Sequence, residues 1–262
     1  MKRIIAAIMI LVLAVTLSGC KEVPSFMPSY WDGLTKAGAR AYIQNALRDK
    51  YGEEFVVKEL AKRSGYYFTD LLADCSPSSD ESLVFQVECW NFKNHDRELI
   101  DTYIQSIVGR EMRNKAENVL SKYCENFAVE VYVYGLASDY DSKIQSADMA
   151  TIENFTNALP DDNLSVVWIA FDENEIGDKY DETIKYIEEI VKDFGLSNCY
   201  IDCYFVSLDI VNQCNEKIMS CHSGYNYQIT ADMDTTLSSQ RPIYRYVYTG
   251  GDCDLALNKI LN

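Results

Sequence analysis

Residues 98–134, ELIDTYIQSIVGREMRNKAENVLSKYCENFAVEVYVY, decide the fold, because an amphipathic helix leads directly into a strand. Apolar side chains recur every three or four residues from Glu98 to Tyr123, which predicts one long helix. From Phe127 to Tyr134, Phe and Val alternate with other residues, as in a half-buried strand. A helix with one apolar face next to such a strand predicts an α+β protein.

The same two patterns continue on both sides of this stretch. Upstream, the spacing predicts a helix and then strands, over residues 35–51, 54–61, 66–75 and 82–92. Downstream, it predicts helices over 151–159 and 180–194, and strands over 164–171, 199–211, 217–221, 225–231 and 242–248. We expect antiparallel sheets with amphipathic helices packed on one face.

A polar stretch divides these elements into two groups. Residues 135–150 lack periodicity, so we expect a linker or long loop between an N-terminal α+β half, 34–134, and a C-terminal half, 151–262. YIQNALRDKYG at 42–52 and YIEEIVKDFG at 186–195 are similar helix ends, as in two related halves. Any helix that packs on a sheet and stops at glycine has this pattern as well, so the sequence leaves both alternatives open.

The N-terminus has the pattern of a secretory signal peptide, with a basic start, an apolar run and small residues at its end. The apolar run is shorter than a membrane-spanning helix requires, which disfavours the alternative of an uncleaved anchor helix. Its ending, Leu17-Ser18-Gly19-Cys20, resembles the lipobox of bacterial lipoproteins. This resemblance implies that residues 1–19 are removed and that Cys20 carries the lipid.

The lipobox resemblance also implies a location. A lipidated Cys20 would hold the protein on the extracytoplasmic face of the cell membrane, with residues 20–33 as a short tether. The segments KYGEEFVVKEL at 50–60 and SLVFQVECW at 82–90 are similar to uncharacterised lipoproteins of Gram-positive, Clostridia-like bacteria. That resemblance implies no known activity.

The charge of the chain excludes one class of partner. Its formal net charge is -16, so the chain repels polyanions, and we expect no nucleic-acid binding. The acidity has two interpretations. It keeps the protein soluble beside a charged membrane, or it recruits cations and basic ligands.

The cysteines leave several alternatives open. Cys20 is the first of nine cysteines. Outside the cytoplasm, the cysteines that follow it can form disulfides. Cys75 and Cys89 flank a turn-rich stretch and are the first pair to consider for a cross-strand bridge. Buried thiols and a metal site are the alternatives. Cys199 and Cys203 are four residues apart on a predicted strand, about 13 Å, which is too far to share one ion readily, so we predict no metal site.

The sequence carries little catalytic material. His95 and His222 are its only histidines, and it has no hydrolase elbow, phosphate loop or dinucleotide fingerprint. Residues 172–178 begin like a calcium loop, but Ile176 stands where an oxygen ligand is needed, and Thr183 stands where a bidentate glutamate is needed. A solvated loop that caps the next helix is the expected structure. We therefore predict no catalytic residue and no cofactor.

Tyrosines provide the last signal. Tyr244, Tyr246 and Tyr248 alternate on a predicted strand, as in an aromatic face that stacks on sugars or contacts a protein partner. A sheet face covered by helices has the same pattern. Exposure of the three side chains separates these alternatives.

These observations favour a non-enzymatic binding or interaction module at the cell envelope. Its expected partners are the membrane, through the lipid on Cys20, and an envelope protein or a glycan. An extracytoplasmic carboxylate-based hydrolase is the alternative, because the many acidic residues allow a catalytic pair. An accessory lipoprotein of a transporter or secretion machine is not distinguished from a binding module by the sequence.

Overall fold

A computed structural model gives the fold. It describes residues 35–64, 69–90, 98–133, 143–144, 146–158, 165–177, 179–194, 198–221, 244–249 and 258–259. The chain divides into two compact units, Met1–Ala39 and Arg40–Asn262, and of the first unit only residues 35–39 are described.

Helices and strands are mixed along the chain, which confirms the predicted α+β class. The strands are β1 (Phe55–Ser64), β2 (Thr69–Pro77), β3 (Phe85–Trp90), β4 (Glu98–Asp101), β5 (Phe127–Val133), β6 (Ser165–Asp172), β7 (Asn198–Val206), β8 (Tyr244–Thr249) and β9 (Asn258–Lys259). The helices are α1 (Lys36–Tyr51), α2 (Tyr103–Leu120), α3 (Ile152–Ala158), α4 (Glu173–Ile176), α5 (Tyr180–Phe194) and α6 (Leu208–Cys221), with a 3₁₀ turn at Ala147–Met149.

The first sheet is an antiparallel meander in the order β1-β2-β3-β4. Its edge strand β1 shifts register between Val57 and Glu59, which marks a β-bulge. The Arg40 guanidinium of α1 donates hydrogen bonds to the carbonyl oxygens of Val57 and Lys58, the second at 3.3 Å. These bonds satisfy carbonyl groups on an edge strand, where another chain would otherwise be able to pair.

The second sheet has the order β5-β6-β7-β8-β9 and contains one parallel pair, β6–β7. The other pairs are antiparallel, as predicted. The connection from β6 to β7 passes through α4 and α5, and a helical crossover of this length is what a parallel pair requires. The first sheet has no such pair in its described strands. The two sheets therefore differ in topology. This difference disfavours two related halves, and it favours the alternative that the two similar helix ends share only the general pattern of a helix packed on a sheet.

The boundary between the sheets falls inside the predicted N-terminal half. Strand β5 pairs with β6 from Phe127↔Phe171 to Val133↔Ser165, so it belongs to the second sheet. Helix α2 joins the two sheets. Within the stretch 135–150, the structure places Ile144 and Ala150 in buried positions. The predicted domain limits stay a prediction.

Three predicted elements are wrong at least in part. The start of the predicted helix 98–123 is strand β4, which pairs with β3 before α2 begins at Tyr103. The predicted strand 199–211 ends at Val206, and helix α6 follows it, so the predicted strand 217–221 is also helical. In α6, Val211 and Cys214 lie one turn apart and pack in a cluster on the second sheet, which also contains Ala128, Ala170, Tyr204 and Val206. Short apolar runs fit strand and helix equally well, and the packing partner decides between them.

Asp101 joins three elements at the base of the first sheet. Its Oδ1 accepts hydrogen bonds from the Tyr51 hydroxyl at 2.7 Å and from the Tyr103 backbone N–H at 3.0 Å. Its Oδ2 lies 2.9 Å from Lys50 Nζ. The residue is 2% exposed, so these donors replace the water that the carboxylate loses on folding. The end of α1, the end of β4 and the start of α2 are thereby held together.

An aromatic cluster surrounds this carboxylate. The Tyr103 ring lies 4.9 Å from Tyr51, 5.1 Å from Phe55 and 4.8 Å from Phe85, measured between ring centroids. The Tyr103 hydroxyl donates a hydrogen bond to Glu53 Oε1 at 2.6 Å. The ring thus packs on other aromatic rings while its polar end keeps a hydrogen-bond partner. This cluster forms the core between α1, α2 and the first sheet.

We expect Asp101→Ala to destabilise the protein by about 2–3 kcal/mol, because it removes the carboxylate that accepts from the Tyr51 hydroxyl and the Tyr103 N–H. Lys50→Ala should cost about 1 kcal/mol or less, because the Lys50 ammonium reaches solvent. Urea unfolding followed by circular dichroism measures both. Equal costs for the two variants would contradict the role assigned to Asp101.

Candidate functional site

Two stacked tyrosines form the most open aromatic surface in the described part of the chain. Tyr123, in the turn after α2, and Tyr186, in α5, have ring centroids 3.7 Å apart and planes 14° from parallel. Tyr123 is 44% exposed and Tyr186 is half-buried. We call Tyr123 and Tyr186 the tyrosine platform.

The end of α2 turns Tyr123 outward. The helix stops at Leu120, and the N–H groups of Tyr123 and Cys124 both donate to the Leu120 carbonyl, at 2.9 and 3.0 Å. Leu120 and Cys124 point into the core, and Tyr123, between them in this turn, is left on the surface. Tyr186 faces it because α2 and α5 pack against each other.

Glu189 fixes the orientation of the exposed ring. Its Oε2 accepts a hydrogen bond from the Tyr123 hydroxyl at 2.8 Å, and its Oε1 lies 2.9 Å from Lys122 Nζ. The hydrogen bonds from Lys122 and Tyr123 lower the pKa of Glu189, and the bond to Glu189 raises the pKa of Tyr123. At neutral pH the carboxyl is therefore ionised and the phenol keeps its proton. The ring is held in place with part of its surface open to solvent.

This arrangement is suited to binding. An exposed aromatic ring stacks on sugars, on other aromatic groups or on cations, and tyrosine is enriched in binding surfaces. The ring is oriented before a ligand arrives, which lowers the entropy cost of association.

The predicted tyrosine stripe lies on β8, next to β7. In the strand register Tyr244 is opposite Cys203, Tyr246 is opposite Ile201 and Tyr248 is opposite Cys199. Ile201 and Cys203 are fully buried. The side chains of the three tyrosines lie outside the described residues, so the binding stripe stays a prediction.

The structure does not bring Cys75 and Cys89 together. Both are buried thiols, and the register of β2 and β3 pairs Cys75 with Phe85 and Cys89 with Leu71. Four residues along a strand correspond to about 13 Å, whereas the Cα atoms of a disulfide lie within about 7 Å. The turn-rich stretch between them forms a hairpin, but each cysteine faces another residue across it.

We expect the five described thiols to resist iodoacetamide in the native protein, namely Cys75, Cys89, Cys124, Cys203 and Cys214. Burial keeps the reagent out and raises the pKa of Cys124 to about 12, so little thiolate forms. Alkylation should be at least about tenfold slower than in urea, as measured by peptide mass mapping. A Cys75–Cys89 peptide in the non-reduced map would contradict this.

Two carboxylates lie on one face of the second sheet. Trp168 of β6 is opposite Glu130 of β5 and opposite Asp202 of β7 in the strand register. The Cα atoms of the two acidic residues are thus about 10 Å apart. Glu130 is 2% exposed and Asp202 is 4% exposed, so neither carboxylate is open to a substrate.

Glu130 has a structural role in edge strand β5. Its Oε2 lies 3.4 Å from Arg113 Nη1, and its Oε1 accepts the Val131 N–H at 3.1 Å. Burial raises the pKa of Glu130 to about 7, against the opposing effect of Arg113. An inward-facing charge on an edge strand discourages pairing with another chain. The sequence predicted a half-buried β5, but residues 128–133 are all buried, because α2 and α6 both contact this strand.

Glu130 should make the stability of the protein depend on pH. Its folded pKa lies above that of an unfolded glutamate, about 4.3, so its stabilising effect is complete below that pH and lost as pH rises through about 7. Between pH 5 and 8, the free energy of unfolding should fall by about 2–3 kcal/mol more in the native protein than in Glu130→Gln. Urea unfolding across this range measures the difference.

The exposed Glu117 is the control for this test, because it also lies near Arg113, with its Oε1 3.8 Å from Arg113 Nε. Glu117→Gln should leave the shape of the pH profile unchanged. Parallel profiles for the native protein and Glu130→Gln would exclude the assigned effect.

The remaining predicted sites are resolved in part. Asp172 Oδ1 accepts the Asn174 N–H at 3.1 Å and caps α4, so the loop that resembles a calcium site begins with a helix cap. Across the described ranges, no group of three or more His, Cys, Asp or Glu side chains is placed to hold a metal ion. Cys20, His95 and His222 lie outside the described residues. None of the described helices is both long and apolar enough to cross a membrane.

One solved structure shares this two-sheet α+β fold. It is the crystal structure of a DUF5037 family protein from Ruminococcus gnavus ATCC 29149, similar with a TM-score of 0.58 over 82% of this chain and 94% of that chain. The sequence identity is 16%, so the likeness shows the fold alone. Its source agrees with the expected resemblance to proteins of Clostridia-like bacteria. No family model and no curated protein matches the chain.

The sequence did not single out the tyrosine platform. The apolar pattern of residues 98–123 includes Tyr123 and predicts that the helix continues through it, and Tyr186 lies within the predicted amphipathic helix 180–194. One signal was available. Lys122 precedes Tyr123 and Glu125 follows Cys124, so Tyr123 lies in a charged segment at the end of the apolar pattern.

Proposed function

We propose that this protein is a lipid-anchored, extracytoplasmic binding module of the cell envelope. The observation that carries the anchor is the sequence Leu17-Ser18-Gly19-Cys20 at the end of a short apolar run. Acyl chains on Cys20 would hold the folded domain close to the membrane, because the tether of residues 20–33 is short.

The tyrosine platform supports the binding part of this proposal. It offers an oriented, exposed aromatic ring next to charged groups, which suits recognition of an envelope protein or a glycan. The surrounding groups are an ionised carboxyl, an ammonium and phenols that keep their protons. Such groups orient a ligand but supply no activated nucleophile.

The alternative of a carboxylate-based hydrolase has less support. One candidate pair is Glu130 and Asp202, and Glu130 has the raised pKa that a general acid needs. Both side chains are almost fully buried, and the oxygens of Glu130 already contact Arg113 and the Val131 N–H. A general acid must reach the atom that it protonates.

We expect the full chain, produced in a bacterium that processes lipoproteins, to incorporate an alkyne-labelled palmitate and to remain in the membrane fraction. Cys20→Ala should abolish the label and release the protein, because no acyl chain is attached. In-gel fluorescence and membrane fractionation measure this. Cys75→Ala is the matched control, and loss of label in that variant instead would refute the lipidation of Cys20.

The binding role is tested separately by crosslinking in the native membrane. A binding module should enrich a specific protein or glycan over a Cys20→Ala control that lacks the anchor. If the anchored protein enriches nothing above that control, the binding proposal fails, whatever the labelling result.

A further inference from the structure

Acidic side chains surround the tyrosine platform. On α5, Glu182, Tyr186, Glu189 and Asp193 recur at intervals of four, three and four residues, so they lie along one face of the helix. Glu182 and Asp193 are exposed. In the described part of the chain, Glu189 is the only one of these acids that forms a salt bridge. We call Glu182, Glu189 and Asp193 the acidic stripe.

The electrostatic effect of the stripe extends to its neighbours. The pKa of Lys122 is raised, chiefly by its hydrogen bond to Glu189 and further by Asp193. The pKa of Tyr186 is raised by partial burial and by Glu182. Two lysines of the α2 region lie at this surface as well: Lys122 pairs with Glu189, and Lys115 Nζ lies 3.4 Å from the Asp193 backbone carbonyl oxygen. The exposed carboxylates of Glu182 and Asp193 form no salt bridge among the described residues, so they can still pair with an incoming cation.

We propose that the tyrosine platform and the acidic stripe together bind a basic, extended protein segment, a proposal that rests on the binding function above. One cationic side chain stacks on the exposed ring of Tyr123, and others approach Glu182 and Asp193. Arginine fits better than lysine, because its planar guanidinium stacks on aromatic rings and pairs with carboxylates in a fixed geometry.

The dimensions of the stripe set the length of the segment. Glu182 and Asp193 are eleven residues apart on a helix, about 16 Å. An extended chain covers that distance with about five residues. A segment with arginine at every second position therefore places its first, third and fifth side chains along the stripe, on one side of the chain.

Charge selects this partner over the others. Polyanions such as nucleic acid or an acidic glycan are repelled by the stripe and by the net charge of -16. A neutral glycan stacks on the ring of Tyr123 but gains nothing from Glu182 and Asp193. A basic segment uses both features, so we assign the surface to it.

The test uses the full chain in detergent micelles and a fluorescein-labelled peptide, Arg-Ser-Arg-Ser-Arg, with blocked ends. The comparison peptide carries citrulline, which keeps the shape of arginine without its charge. Fluorescence anisotropy should show binding of the arginine peptide that weakens as salt is raised. The citrulline peptide should bind at least about tenfold more weakly.

Two substitutions separate the ring from the charges. Tyr123→Ala should weaken binding of the arginine peptide about fivefold to tenfold, whereas Tyr123→Phe should retain most of it, since the ring remains. Glu182→Gln combined with Asp193→Asn should also weaken binding at least about fivefold. Leu208→Ala, which removes another exposed apolar side chain, and Glu173→Gln, which removes an exposed charge elsewhere, are the matched controls and should bind as the native protein does.

Three results would overturn the proposal: equal binding of the arginine and citrulline peptides, native-like binding by Tyr123→Ala and by the double variant, or Tyr123-dependent binding of a neutral hexasaccharide in place of the peptide. None of these three results by itself decides whether the protein is a binding module of the cell envelope, which the crosslinking experiment tests. A partner that crosslinks equally well to Tyr123→Ala in the membrane would keep the binding module and remove this surface. A chain that crosslinks to nothing would remove the binding module itself.

Discussion

The hydrogen bonds that Asp101 accepts fix the start of α2, and much of the structure depends on where that helix lies. The carboxylate is buried between the end of α1 and the aromatic ring of Tyr103, where an unsatisfied charge would be costly. From this point α2 runs along β5 and α5. It brings Arg113 to Glu130 in the edge of the second sheet, and it leaves Tyr123 beside α5 at its far end.

The acidic residues of this chain lie in two different environments, and packing separates them. Asp101 and Glu130 face inward, where donors from neighbouring elements hold them, and their role is to fix helices and protect a strand edge. Glu182 and Asp193 face solvent, and we propose that their charge binds a basic segment. A net charge of -16 is therefore partly a property of the framework and partly a property of one surface.

The sequence predicted much of the fold from local patterns. The bounds of α5 follow from amphipathic spacing, and those of β6 follow to within one residue from a continuous apolar run. The errors at 98–101 and 208–221 have one cause. Both are short runs whose apolar residues fit strand or helix, and each is decided by a distant partner, β3 in the first case and the second sheet in the other.

The sequence by itself determined the α+β class, the order of most elements and the lipobox on which the proposed anchor rests, because periodicity and motif spacing are properties of neighbouring residues. Only the tertiary structure decided which side chains are open. Tyr123 was predicted to be core, and it is exposed because α2 ends three residues before it. Strand β5 was predicted to be half-buried, and Glu130 in it is buried because helices contact both the strand and its neighbours. Burial depends on what packs against a residue, and that partner is distant in the chain.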